Sequence, residues 1–67
     1  MNKGTVIKKL REENKLTQAY IARKIGLSER HYRRIEKGEV KKIDFRIIDI
    51  LSREFKLSYE DIIKDLI

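Results

Sequence analysis

The chain has no cysteine, no proline and only three glycines in 67 residues. Without cysteine there is no disulfide, and no cluster of histidine, cysteine and carboxylate residues offers the ligands of a structural zinc ion. The shortage of glycine and proline leaves little room for strands joined by tight hairpins. No apolar run approaches the roughly 20 residues of a membrane span, and the first ten residues lack the long apolar segment of a secretion signal. We therefore expect a cytoplasmic protein with no membrane association.

Charged residues are abundant and unevenly distributed. They make up 42% of the chain, and the net charge is +6. Residues 1–43 carry a net charge of +8, whereas residues 44–67 carry −2. A basic face of this kind is typical of proteins that bind a polyanion. A charge-rich, solvated surface with no partner has the same composition, so charge alone leaves both interpretations open.

Apolar residues recur at helical spacing along the whole chain, which predicts one all-α domain over residues 1–67. We expect five helices, at about 5–14, 18–25, 29–37, 45–55 and from 59 onwards. Short polar side chains stand before each helix and predict its N-cap. These caps are Thr5, Thr17, Ser28, Asp44 and Ser58.

The most informative segment is LTQAYIARKIGLSERHYRRIEKG, residues 16–38. It predicts two short helices around a turn at Gly26, and Gly38 stops the second of them. The apolar and small residues of this segment form one buried face, and Tyr32 belongs to that face with its hydroxyl near the surface. The residues left outside on helix 3 are Glu29, Arg30, His31, Arg33, Arg34 and Lys37. A basic helix held on the outside of a small domain is suited to the DNA major groove.

These residues resemble the helix-turn-helix of the lambda-repressor/Cro group, the XRE-type regulators. The shared features are the Leu-Thr-Gln opening, an alanine in helix 2, Gly-Leu-Ser at the turn and Ile-Glu-x-Gly at the end of helix 3. The resemblance extends over nearly the whole chain and implies a five-helix, lambda-repressor-like fold with helices 2 and 3 as the DNA-binding unit. The sequence departs from the family at Lys15, usually glycine, at Ile43, often proline, and at Ser52, usually alanine.

The resemblance and the side-chain chemistry together predict the contacts with DNA. Arginine binds guanine through two parallel hydrogen bonds, and glutamate accepts from cytosine. The predicted base-reading residues are Glu29, Arg30, Arg33 and Arg34. The predicted phosphate contacts are Gln18, Lys37, Lys41 and Lys42. In relatives the glutamine also supports a base-reading residue of helix 3. The alternative for Glu29 is an acid favoured by the positive end of the helix dipole.

Other polar residues have structural interpretations. Arg11 and Glu36 match a pair that forms an internal salt bridge in some relatives. His31 is interpreted as exposed helix surface, with phosphate contact as the alternative. Since no ligand set surrounds it, we predict no metal site and no cofactor.

Helix 4 carries more apolar residues than one core face requires. Phe45, Ile48, Leu51 and Phe55 are predicted to face inward. Ile43, Ile47 and Ile50 form a second stripe, which is either a broad buried face or a surface for a twin copy or another domain. The end of helix 5 adds Ile63, Leu66 and Ile67 to that surface. The predicted partner surface comprises Ile47, Ile50, Ile63 and Leu66.

The chain lacks a Ser/His/Asp set, a glycine-rich phosphate loop and a carboxylate pair in a plausible cleft, so we expect no enzyme. We predict a bacterial or phage DNA-binding transcriptional regulator, with repression favoured over activation. It would bind double-stranded DNA as a homodimer on an inverted repeat. Alternatives are an antitoxin that binds DNA and a toxin, and the DNA-binding part of a longer, ligand-responsive regulator. From another class, a protein-interaction module could keep the fold without binding DNA.

Overall fold

The computed structural model describes the backbone of residues 2–66 and the side chains of residues 2–64. Over that range the chain is all-α and contains no strand, and the predicted five-helix fold is confirmed. The helices are α1 (Lys3–Glu13), α2 (Gln18–Ile25), α3 (Glu29–Glu36), α4 (Phe45–Glu54) and α5 (Tyr59–Leu66). None of them combines the length and apolar character that a bilayer span requires.

Four of the five helices begin at the predicted caps. The hydroxyls of Thr17 and Ser28 accept from the backbone N–H three residues later, at 3.0 and 3.1 Å. The Asp44 carboxylate accepts from the Arg46 N–H at 2.8 Å, and the Ser58 hydroxyl accepts a backbone N–H at 3.0 Å. Each contact satisfies one of the N–H groups that a helix start leaves without a partner.

The prediction for α1 was wrong, because Asn2 caps that helix and Thr5 lies in its first turn. The Asn2 side-chain oxygen accepts from the Thr5 backbone N–H at 2.8 Å and from the Thr5 hydroxyl at 3.2 Å. Asparagine ranks above threonine as an N-cap, so the helix extends towards the stronger cap.

The helices enclose one apolar core to which all five contribute. α2 packs against α3 and α4, while α1 packs against α3 and α5. The core residues are Ile7, Ile21, Ala22, Tyr32, Ile35, Ile48, Leu51, Phe55 and Ile62. The prediction for Phe45 was wrong, since its side chain is 66% exposed. Phe45 is the first residue of α4, and its neighbours Ile43 and Ile47 pack against the core at this end of the helix.

The turns on either side of α2 use the left-handed backbone conformation. Gly26 ends α2 with a φ of 86°, a conformation that costs glycine little. Lys15, which stands where relatives usually have glycine, takes the same region with a φ of 57°. The turn between α1 and α2 therefore carries some backbone strain.

The first turn of α1 lies directly against the end of α3. A Cβ atom placed on Gly4 would lie 2.2 Å from the carbonyl oxygen of Ile35 and 2.5 Å from that of Glu36. These distances are far below van der Waals contact, so only glycine permits this approach. The contact helps to hold α3 on the outside of the domain.

Candidate nucleic-acid interface

The candidate interface is the outer face of α3. Tyr32, Ile35 and Glu36 are the buried residues of this helix, and they face the other helices. Arg30, Arg33, Arg34 and Lys37 stand at the spacing i, i+3, i+4 and i+7, which places them along one side of the helix. All four are exposed, and they line a concave surface together with Ser28, His31 and Glu39. We call these four cations the α3 basic stripe.

Two members of the α3 basic stripe form ion pairs. Arg33 pairs with Glu29 one turn earlier, and Arg34 Nε lies 3.3 Å from Glu39 Oε1. Arg30 and Lys37 pair with no side chain among residues 2–64. Because exposed ion pairs contribute at most about 1 kcal/mol, a phosphate or a base edge can displace the carboxylate from its arginine.

The loop that follows α3 continues the positive surface. Lys37 ends the helix, Gly38 reverses the chain with a φ of 79°, and Lys41 and Lys42 are exposed beyond it. Neither loop lysine forms an ion pair with a described side chain. The loop thus adds positive charge that is free to meet an anion.

A buried ion pair supports the interface from behind. Arg11 and Glu36 are 8% and 6% exposed. Arg11 Nε donates to Glu36 Oε2 at 2.6 Å, Nη2 donates to Oε1 at 3.2 Å, and Nη1 donates to the carbonyl of Leu16 at 2.7 Å. This side chain therefore joins α1, the turn before α2 and the end of α3, and it lies away from the outer surface of α3.

The surroundings of Glu36 keep it charged. Burial by itself raises the pKa of Glu36, but hydrogen bonds from Arg11, Tyr32 and Gln18 outweigh that effect and hold the pKa below its ordinary value. The hydrogen bond to Glu36 raises the pKa of Arg11. Burial, followed by the hydrogen bond to Glu36, raises the pKa of Tyr32 far above its ordinary value. The predicted position of the Tyr32 hydroxyl near the surface was wrong, because it donates to Glu36 in the interior.

Gln18 connects this interior pair to the outer face of α3. Its Nε2 donates to Glu36 Oε1 at 3.0 Å, and its Oε1 accepts from Arg33 Nε at 3.3 Å. The sequence predicts Gln18 at the DNA surface and does not predict its contact with Glu36. The only available signal was that Arg11, Gln18 and Glu36 each occur in the part of the chain that resembles the family.

The predicted partner surface is only partly accessible. Ile47 and Ile63 are half-buried and pack against the core. Ile50 is half-buried in a groove that Ile25 and Leu27 also line. The side chain of Leu66, and Ile67 altogether, lie outside the described residues.

Within the described range, the structure contains no group of three or more histidine, cysteine, aspartate or glutamate residues that could hold a metal ion. The α3 face offers N–H donors and positive charge. Two short helices packed across a tight turn, the second with a basic outer face, define a helix-turn-helix domain.

Comparison with known proteins agrees with this architecture. The sequence pattern of the helix-turn-helix family matches residues 7–62. The chain belongs to this family in its XRE-type form, a family of DNA-binding transcription regulators. It is 38% identical over 60 residues to "Antitoxin PezA" of Streptococcus pneumoniae serotype 4 (strain ATCC BAA-334 / TIGR4). The match covers 90% of this chain but only 37% of that relative. No solved structure gives a significant match.

Proposed function

We propose that this chain is a sequence-specific regulator that inserts α3 into the major groove of an operator and represses transcription. The observation that carries this proposal is the α3 basic stripe, four cations on the side of the helix that the core leaves outside. An α-helix fits the width of the major groove of B-DNA, where each base pair presents a distinct pattern of donors and acceptors.

The contacts divide by their position on this surface. Arg30 and Glu29 begin α3, and with Arg33 and Arg34 they are proposed to read base edges. Lys37, Lys41 and Lys42 follow the helix and are proposed to bind phosphates, which sets the register without reading sequence. Gln18 is the remaining proposed phosphate contact, through the amide N–H that does not donate to Glu36.

A homodimer is the proposed binding form. One α3 spans only a few base pairs, and a two-fold pair doubles the sequence that is read, with half-site centres about 34 Å apart. The proposed contact surface comprises Ile47, Ile50, Ile63 and Leu66. The groove at Ile50 supports it, since apolar side chains from α2, the turn after it and α4 line this groove together with the charged residues Asp44 and Arg46.

An antitoxin is the second candidate, and the similarity to the antitoxin named above favours it. In that role the chain would bind its operator and a toxin protein. Because this chain spans little more than a third of that relative, a toxin-binding segment would lie in a part that the match does not cover. If this chain is instead the DNA-binding part of a longer, ligand-responsive regulator, the ligand-binding segment would likewise lie outside this chain. A toxin gene beside the gene for this chain would favour the antitoxin, and a toxin whose effect on growth persists when this chain is co-expressed would oppose it.

Selection from random double-stranded DNA tests the main proposal. We expect an enriched motif with two inverted halves, and binding to it that weakens steeply with salt. A protein that binds duplexes at low salt but enriches no motif would not be a sequence-specific regulator. Absence of binding at low salt would favour a protein-interaction module that has kept only the fold.

A further inference from the structure

The buried carboxylate of Glu36 is fully occupied by donors. Oε2 accepts from Arg11 Nε and from the Tyr32 hydroxyl, and Oε1 accepts from Arg11 Nη2 and from Gln18 Nε2. A carboxylate offers about four acceptor positions, so each one has a donor here. Because the carboxylate can only accept hydrogen bonds, the neighbouring amide of Gln18 must turn a donor towards it.

Glu36 determines which way the amide of Gln18 faces. An amide has a donor end and an acceptor end, and the acceptor end would be repelled by the carboxylate. The NH2 group therefore faces Glu36, and the carbonyl oxygen faces Arg33. An internal charge thus presents an acceptor at the edge of the basic face.

This acceptor holds one edge of the Arg33 guanidinium. Nε donates to Gln18, and Nη2 donates to the carboxylate of Glu29. Nη1 has no partner among the described side chains, and Glu29 accepts from only one of the two N–H groups that Nη2 carries. The N–H groups that remain, on Nη1 and Nη2, can bind a base edge, and guanine accepts two parallel N–H groups from one arginine.

We propose that Glu36 is a positioning residue for DNA reading, which acts through Gln18 to aim the Nη1–Nη2 edge of Arg33 at a base. Being 6% exposed, Glu36 does not itself touch DNA. This inference rests on the proposed function, namely that α3 reads sequence. It goes further because it makes the preference for one base depend on a buried residue that does not contact DNA.

The test compares base discrimination among three variants on the selected operator. Glu36→Gln keeps the shape of the side chain but replaces an obligate acceptor by a group that can also donate. We expect it to reduce discrimination at the base pair that Arg33→Ala identifies by about fivefold or more, with affinity for non-specific duplex retained. Tyr32→Phe is the matched control, because it removes another donor from the same carboxylate and leaves Gln18 in place. It should keep the preference, and an equal loss in both variants would assign the effect to weakened packing.

Gln18→Ala keeps the inference testable if Glu36→Gln does not fold. We expect it to reproduce the loss of discrimination at the same base pair, and Glu36→Gln should add nothing further in that background. A uniform loss at all base pairs would make Gln18 a phosphate contact only and would overturn the inference. So would a Glu36→Gln variant that folds and keeps the wild-type preference.

A DNA-free measurement separates this inference from the proposed function. The side-chain Nε–H resonance of Arg33 should be protected from exchange in the wild-type protein and lose that protection in Gln18→Ala and Glu36→Gln. If the wild-type protein enriches no DNA motif, the proposed function fails, whereas this resonance still reports on the link. Equal exchange rates of the Arg33 Nε–H group in all three proteins would show that Glu36 and Gln18 do not hold Arg33, and this would overturn the inference.

Discussion

Arg11 and Glu36 form a bidentate ion pair between α1 and the end of α3, in which Arg11 Nε lies 2.6 Å from Glu36 Oε2 and Arg11 Nη2 lies 3.2 Å from Glu36 Oε1. Both residues are buried, so each charge depends on the other for its solvation. The pair also supports the glutamine behind the basic face. The stability of the fold and the proposed reading of DNA therefore depend on the same carboxylate.

The first prediction concerns acid. The pKa of Glu36 is lowered in the folded protein, so the unfolded chain binds the proton more tightly. The stabilisation from Glu36 is complete above its unfolded pKa of about 4.3, and it is lost as pH falls through the lower folded value. Urea unfolding between about pH 6 and pH 2 should show this loss, and Glu36→Gln should show a flatter profile. Identical slopes in the two proteins would contradict the role of Glu36.

The second prediction concerns Gly4. At an unstrained helical position, replacing glycine by alanine stabilises a protein by about 0.4–1 kcal/mol. Here the added Cβ would lie 2.2 Å from the carbonyl oxygen of Ile35, so we expect Gly4→Ala to destabilise by about 1–3 kcal/mol or more. The sign of the change in unfolding free energy decides the matter. Lys8→Ala, at an exposed position of the same helix, is the control and should change stability little.

The sequence predicts features that depend on neighbouring residues. Thr17, Ser28 and Asp44 mark helix starts because a short polar side chain reaches the N–H groups of the same turn. The buried face of α2 and α3 is predicted because their apolar residues recur at the 3.6-residue period of a helix. Both depend on spacing within one segment.

Features that depend on how helices cross were not predictable. The need for glycine at position 4 arises where α1 meets the carbonyl of Ile35, and nothing local to α1 indicates it. The exposure of Phe45 depends on where the core ends along α4, which periodicity does not define. The bond between Gln18 and Glu36 joins residues 18 positions apart, and no pattern within one segment indicates it.

The third prediction concerns the loop after α3. Lys41→Glu combined with Lys42→Glu should weaken binding to all duplexes by a similar factor, because phosphate contacts carry no sequence information. Each phosphate contact that is lost should reduce the slope of log K against log salt by about 0.9. Titrations at several salt concentrations measure this slope. An unchanged slope would exclude both lysines from the interface.

The fourth prediction concerns Arg30, which lies in the first turn of α3 without an ion pair among the described side chains. Arg30→Ala should change which base is preferred at one position, since a bidentate contact with guanine contributes about 1–3 kcal/mol of discrimination. Affinities for the selected site and its single-base variants give this value. Arg53→Ala, an exposed arginine on α4, is the control. A loss that is equal for every variant site would make Arg30 a phosphate contact.

The fifth prediction concerns the proposed dimer. Both Ile47 and Ile50 line the groove between α2 and α4, but only Ile47 also packs against the core. We expect Ile50→Glu to keep helicity, reduce self-association and abolish cooperative binding to an operator with two half-sites. Adding Ile47→Glu should also destabilise the fold, because it introduces a charge beside the core.

Sedimentation of the free protein and titration of one-half and two-half sites test these expectations together. A dimer that forms only weakly in solution should still bind two half-sites cooperatively, because DNA holds the two copies close to each other. Binding to a single half-site should be similar for the wild-type protein and Ile50→Glu, since α3 is untouched. If Ile50→Glu stays folded and cooperative, the groove at Ile50 is not where two copies meet. If Ile50→Glu alone unfolds the protein, Ile50 belongs to the core and the proposed contact surface reduces to residues of α5.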